Sequence, residues 1–123
     1  MGLSHKVLIV DDQEEVRNLI FMLLSRHEHY CETAKDGVEA FERIKNHSFD
    51  AVVTDIEMPH MDGICLTREL IQLYPNLSIM VMTGYPLEHP TESAVTAGAR
   101  ELIKKPFTMD EFIMCFDKMM GDR

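Results

Sequence analysis

A parallel β-sheet covered by helices on both faces, doubly wound, is the fold class this sequence predicts, and three observations predict it. Short apolar runs alternate with longer amphipathic stretches five times along the 123 residues, the pattern of repeated βα units. The run Leu77 to Met82 is nearly all apolar, as expected of a strand buried on both faces. The length suits one domain, and a chain of this size buries roughly two-thirds of its unfolded surface.

Each element can be justified in turn. Lys6 to Val10 reads as the first strand. A helix from about Gln13 to Arg26 follows, with Val16, Leu19, Ile20, Leu23 and Leu24 on one stripe. His29 to Ala34 is a more polar second strand, suited to an edge. Asp36-Gly37 opens a second helix with Val38, Phe41 and Ile44 inward. Ala51 to Thr54 is the third strand. Gly63 to Tyr74 is the third helix, packed by Leu66, Leu70 and Leu73 and stopped by Pro75. After the fourth strand, Leu77 to Met82, come a short helix from Thr91 to Gly98 and a short strand from Glu101 to Ile103. Thr108 caps the last helix, whose stripe is Met109, Phe112, Ile113, Phe116 and Met119, and Gly121 ends it. Right-handed crossovers and a polar second strand favour the order 2-1-3-4-5.

Composition excludes several functions. A net charge of −9 argues against a nucleic-acid surface, which needs a basic face. Cys31, Cys65 and Cys115 show neither metal-ligand spacing nor a disulfide framework; they read as reduced thiols of a cytosolic protein. No apolar run is long enough to span a membrane, and Met1-Gly2-Leu3-Ser4 leads into a strand without the pattern of a signal peptide. His5, His27, His29, His47, His60 and His89 are scattered and suggest no transition-metal site, with His60 and His89 placed near the rim of the site described next.

Charged residues collect at the predicted strand ends. Asp11 and Asp12 follow Val7-Leu8-Ile9-Val10, Asp55 follows Ala51-Val52-Val53-Thr54, and Lys105 follows Leu102-Ile103-Lys104. In a parallel sheet all these ends open onto one edge, where such folds bind ligands. Carboxylates gathered there repel one another unless a cation joins them, and hard divalent cations favour oxygen ligands. Lys105 would remain to neutralise a second anion, with phosphate the obvious candidate. Each signal has a plainer explanation when taken alone. Asp12 with Glu15 fits a capping box; Asp55 fits a loop cap; Asp62-Gly63 and Thr83-Gly84 fit turns; Lys105 fits a solvated lysine. Their joint order is what the plain explanations miss.

The chain resembles the receiver domains of bacterial two-component response regulators. The likeness runs from Lys6 to Met120 and rests on Asp11-Asp12, Asp55, Met58-Pro59, Asp62-Gly63, Thr83-Gly84 and Lys105-Pro106-Phe107. The resemblance implies a single flavodoxin-like receiver domain over residues 1–123: a three-layer αβα fold with five strands and five helices. It implies that Asp55 accepts a phosphoryl group from a sensor histidine kinase or a histidine phosphotransfer protein. It also implies Mg²⁺ held by Asp12, Asp55 and the main-chain carbonyl of Glu57, with Asp11 reaching the ion mainly through a water. Thr83 and Lys105 would hold the phosphoryl oxygens, and the Lys105-Pro106 bond would be cis. The face made by the fourth helix, fifth strand and fifth helix would meet an output domain, a partner or a second copy.

Two departures matter. Leu102 stands where the family usually has tyrosine or phenylalanine, so the usual aromatic switch gives way to a loop-dominated one beyond Gly84. Glu57 and Tyr85 occupy rim positions associated with the lifetime of the phosphoryl group, which is expected to be long. Three other functions compete. A pseudo-receiver would use the same fold as a constitutive interaction module, which the complete set of site residues disfavours. An aspartyl-phosphate phosphohydrolase would need a cap domain or substrate pocket. A flavin-binding protein would need glycine and hydroxyl residues after the first strand, where this chain has two acids.

Overall fold

The computed structural model describes residues 4–84 and 90–121, with side chains left out for 90–93. The elements follow in the order β1 (Lys6–Val10), α1 (Glu14–Arg26), β2 (Tyr30–Ala34), α2 (Gly37–Asn46), β3 (Ala51–Asp55), α3 (Gly63–Leu73), β4 (Ser78–Thr83), α4 (Pro90–Ala97), β5 (Glu101–Lys104) and α5 (Met109–Gly121). All strands are parallel, in the order β2-β1-β3-β4-β5. The fold class, strand order and element sequence are those expected from the hydrophobic pattern. The polar second strand does lie at an edge, and β4 is buried along its whole length.

The sheet divides the interior in two. On one face α1 and α5 pack Ile20, Leu24, Phe112 and Phe116 against Val7, Ile9, Val53 and Met80. On the other, α2 and α3 pack Ala40, Ile44, Leu66 and Leu70 against Leu8, Val10, Val52 and Val81. Alternate strand residues feed opposite faces because successive side chains point to opposite sides of a pleated sheet.

Among the described helix starts, those of α2, α3 and α5 follow their capping chemistry and that of α1 does not. Asp36 caps α2 by accepting from Glu39 N–H, and Asp62 caps α3 by accepting from Cys65 N–H at 2.7 Å. Thr108 and Glu111 exchange bonds of 2.7 and 3.0 Å, a complete capping box. The exception is α1. Its cap residue is Gln13, which makes no side-chain capping bond, so the capping box read for Asp12 and Glu15 does not form. Instead Asp11 Oδ1 accepts from Gln13 N–H at 2.9 Å, one residue ahead of the helix.

Four predicted core positions prove exposed: Leu19, Val38, Leu73 and Met109. In α2 the inward stripe runs through Gly37, Ala40 and Ile44, which turns Val38 outward; small residues carry the contact that a hydrophobic count assigns to valine. Leu19 lies beside a narrower stripe centred on Ile20, Leu23 and Leu24. Met109 opens α5 and Leu73 closes α3, where terminal turns leave the sheet. Leu73 instead lines an open cleft of about 650 Å³ with Phe49 and Tyr74, between the α2–β3 and α3–β4 connections. That cleft shares no residue with the acid cluster. Cys31, Cys65 and Cys115 are all free thiols, with Cys31 buried. No described helix is long and apolar enough to cross a membrane.

Candidate functional site

The strand registers bring the charged residues together. Val10 pairs with Thr54, Asp55 with Met82, and Thr83 with Lys104. Adjacent strands therefore end level, and the residues at or just beyond their ends share one edge. Lys105 N–H donates to Thr83 O at 2.7 Å, which extends the β4–β5 ladder by one step. The Lys105-Pro106 peptide is cis, as expected.

Asp11 is fully buried and tightly held. Its N–H donates to Ala34 O, its carbonyl accepts from the Arg17 guanidinium at 2.7 Å, and its Oδ1 accepts from Gln13 N–H. Its other oxygen, Oδ2, faces Lys105 Nζ at 3.4 Å. Asp55 ends β3, is buried, and places Oδ1 3.5 Å from the same ammonium. Asp12 is exposed, yet Asp11, Asp12 and Asp55 each offer an oxygen within 4.8 Å of the others.

Burial dominates the electrostatics. It pushes the Asp55 carboxyl up to about 6, against the pull of Lys105; the Asp11 charge adds to the rise, and Glu57 N–H opposes it. Burial likewise raises Asp11, opposed by its bond from Gln13 and by Lys105. Lys105 thus pairs with two carboxylates of a cluster of three. An all-oxygen donor set with excess negative charge suits a hard divalent cation such as Mg²⁺, so the residues present fit one.

Around this centre the predicted rim can be located. Thr83 is buried at the end of β4. Glu57 is exposed and leans over Gly84: a side chain built at Gly84 would meet Glu57 Oε1 at 3.8 Å and Lys105 Cδ at 3.9 Å. Pro106 is exposed. Leu102 is half-buried in β5, opposite Val81. Tyr85, His89 and most of the expected switch loop lie outside the described residues. His60 is exposed in the loop after β3 and takes a positive φ of 72°.

A family model for the response regulator receiver domain matches residues 7–116. The chain belongs to the response regulator receiver domain family. Response regulator MprA of Mycobacterium sp. (strain KMS) is 36% identical over 108 residues, covering 88% of this chain and 47% of the relative. The chain thus spans about half the length of the MprA relatives it matches. Chemotaxis protein CheY of Bacillus subtilis (strain 168) is 33% identical over 120 residues, covering 97% of this chain and all of that protein. The structure of Vibrio cholerae chemotaxis protein CheY4 superimposes with a TM-score of 0.89 at 25% identity, covering 95% of this chain and 99% of that one. The receiver fold and the two-component family are therefore established for this chain.

Sequence reasoning named the acids and the lysine but gave no role to three residues that hold them, although Gly63 stood in the motif Asp62-Gly63. Arg17 sits on the carbonyl of Asp11. Thr54 and Gly63 sit against the main chain of Asp55. Arg17 carried no signal beyond a polar helix position, Thr54 looked like a strand residue, and Gly63 looked like half of a turn.

Proposed function

We propose that this receiver takes a phosphoryl group onto Asp55 from a sensor histidine kinase or a histidine phosphotransfer protein, in a reaction that requires Mg²⁺. One observation carries the reading. The Asp55 carboxylate lies at the sheet edge, 3.5 Å from Lys105 Nζ, with oxygens of Asp11 and Asp12 beside it. Phosphoryl transfer is mainly a matter of positioning and charge neutralisation, and this edge offers both.

In this reading one Asp55 carboxylate oxygen forms the new bond to phosphorus as the bond to the donor breaks, and the donor leaves with that bond's electrons. Asp12, Asp55 and the main-chain carbonyl of Glu57 would hold Mg²⁺, with Asp11 assisting from the second coordination layer. When bound, the ion supplies positive charge that offsets the crowded carboxylates and the incoming phosphoryl oxygens. Lys105 neutralises a further oxygen, and the Thr83 hydroxyl can rotate to donate to another.

Signalling would pass to the face made by α4, β5 and α5, as a contact for an output domain, a partner or a second copy. Val95, Met109 and Met114 are exposed on α4 and α5, which supports a contact role. Leu102 has no hydroxyl to exchange, so coupling would run through the segment after Gly84 and through α4 more than through residue 102. Loss of the α4 response in Leu102→Ala, followed by amide shifts with a phosphoryl mimic, would show the reverse. The reading implies a cytoplasmic protein with no nucleic-acid or membrane contact through this domain.

The deciding experiment is intact mass after acetyl phosphate and Mg²⁺. One added phosphoryl group is expected, absent in Asp55→Asn and absent when Mg²⁺ is chelated. An adduct that persists in Asp55→Asn overturns the assignment. A long phosphoryl lifetime is expected from Glu57 and Tyr85; a Glu57→Ala/Tyr85→Ala variant that loses the group no faster than the parent would remove that expectation.

A further inference from the structure

We propose that Thr54 and Gly63 are positioning residues for Asp55, clamping the peptide that follows it so that the carboxylate stays aimed at Lys105. The inference rests on the reading of Asp55 as phosphoacceptor and adds two residues to its machinery. The Asp55 carbonyl oxygen is gripped from two sides. Thr54 is fully buried, and its hydroxyl donates to Asp55 O at 3.0 Å, with Met58 Sδ 4.0 Å away. On the other side stands Gly63. A Cβ there would lie 2.1 Å from Asp55 O, 2.8 Å from its carbonyl carbon and 3.0 Å from Ile56 Cα. All three are backbone atoms, which have no flexible end to move aside. Glycine is therefore required for close approach.

The clamp continues beyond that contact. Gly63 N–H donates to Ile56 O at 2.8 Å, and Gly63 O accepts from the buried Thr67 hydroxyl at 2.7 Å. From the opposite side Ile56 N–H donates to Met82 O at 2.9 Å. The Asp55–Ile56 peptide is thus fixed between β4 and the first turn of α3. A peptide unit is planar and stiff, so turning its carbonyl turns the bonds at Asp55 Cα and swings the side chain. The carboxylate has little room for that, since its Oδ1 is already 3.5 Å from Lys105 Nζ. Misplacing a reacting group by about 1 Å can cost on the order of a hundredfold in rate.

The test uses the full chain, with Thr54→Val, Thr54→Ser and Gly63→Ala beside Asp55→Asn. Three quantities are measured: the limiting labelling rate at saturating acetyl phosphate, the acetyl phosphate concentration giving half that rate, and Mg²⁺ affinity from amide shifts without any donor. Thr54→Val keeps the shape and removes the hydroxyl. It should lower the limiting rate by about tenfold or more and weaken Mg²⁺ binding, with little change in the half-saturating concentration. Thr54→Ser keeps the donor and should restore both to near the parent. Gly63→Ala should show the same signature or a stronger one. If Gly63→Ala fails to fold, the Thr54 pair still decides. A Thr54→Val protein that labels at the parent's limiting rate and binds Mg²⁺ equally well overturns the positioning roles. Failure of the parent chain to take up phosphate, or labelling of Asp55→Asn, overturns the phosphoacceptor reading instead, and the Mg²⁺ titration then decides the clamp alone.

Discussion

Asp55 holds its charge in a place that disfavours it. Burial, with the neighbouring Asp11 charge, raises its carboxyl from 3.8 to about 6. The folded state therefore binds the proton more readily than the unfolded chain. The stability this carboxyl contributes is fully present below the unfolded value of 3.8, falls as pH rises to about 6, and is absent above that. Asp55→Asn removes the penalty, so in chelator at neutral pH it should be more stable than the parent by on the order of 1–3 kcal/mol. Thermal melts at pH 7 and at about pH 4 check this: the gap should close at the lower pH, and a less stable Asn variant at neutral pH would contradict it. The same crowding explains what the sequence made legible. Asp11, Asp12, Asp55, Thr83 and Lys105 could be read because charged and hydroxyl groups at strand ends break an apolar pattern. The contacts of Thr54 and Gly63 could not, even though Gly63 stood in a recognised motif, because they lie in distances to a backbone oxygen, and no spacing rule encodes those.

At the scale of elements, the hydrophobic pattern identified every strand and helix but misassigned particular faces. In α2, Ile44 is buried and Val38 is exposed, although both are aliphatic. Ile44→Ala should therefore cost about 2–5 kcal/mol, while Val38→Ala should stay within roughly 0.5 kcal/mol of the parent; equal losses in denaturant titrations would refute the assignment. The approach to β2 carries a second consequence. His29 Nδ1 accepts from His5 N–H at 3.1 Å, the two rings stack, and the His29 and Phe116 rings pack in a T-shaped arrangement. That bond needs an unprotonated Nδ1. Burial lowers the His29 pKa below its ordinary 6.5, His5 and His27 add to the drop, and Asp117 opposes it. As pH falls through 6.5 the unfolded chain takes the proton first, so the stability His29 contributes is present above that value and is lost below it. His29→Gln keeps an acceptor without the titration. Its melting temperature should fall less between about pH 7 and pH 5 than the parent's, and a parallel fall would exclude His29 as the source.

At the scale of the whole molecule, strand order and layer arrangement were legible because alternation, edge polarity and crossover handedness leave few choices. The level strand ends then assemble the acid cluster without further instruction. Binding to the folded state alone raises stability by mass action, about 2.7 kcal/mol at a hundredfold excess over the dissociation constant. Mg²⁺ should therefore raise the melting temperature, chelation should reverse the rise, and Asp12→Asn should weaken it; a melting temperature indifferent to Mg²⁺ would count against the metal. The sheet that builds this edge also separates Phe112 and Phe116 from Leu66 and Leu70. Substitutions without shared neighbours combine additively, while those within one tightly packed face constrain each other. The α1/α5 half and the α2/α3 half can therefore tolerate substitutions largely independently, each compensating its own losses, while the strand ends answer to both through the same chemistry.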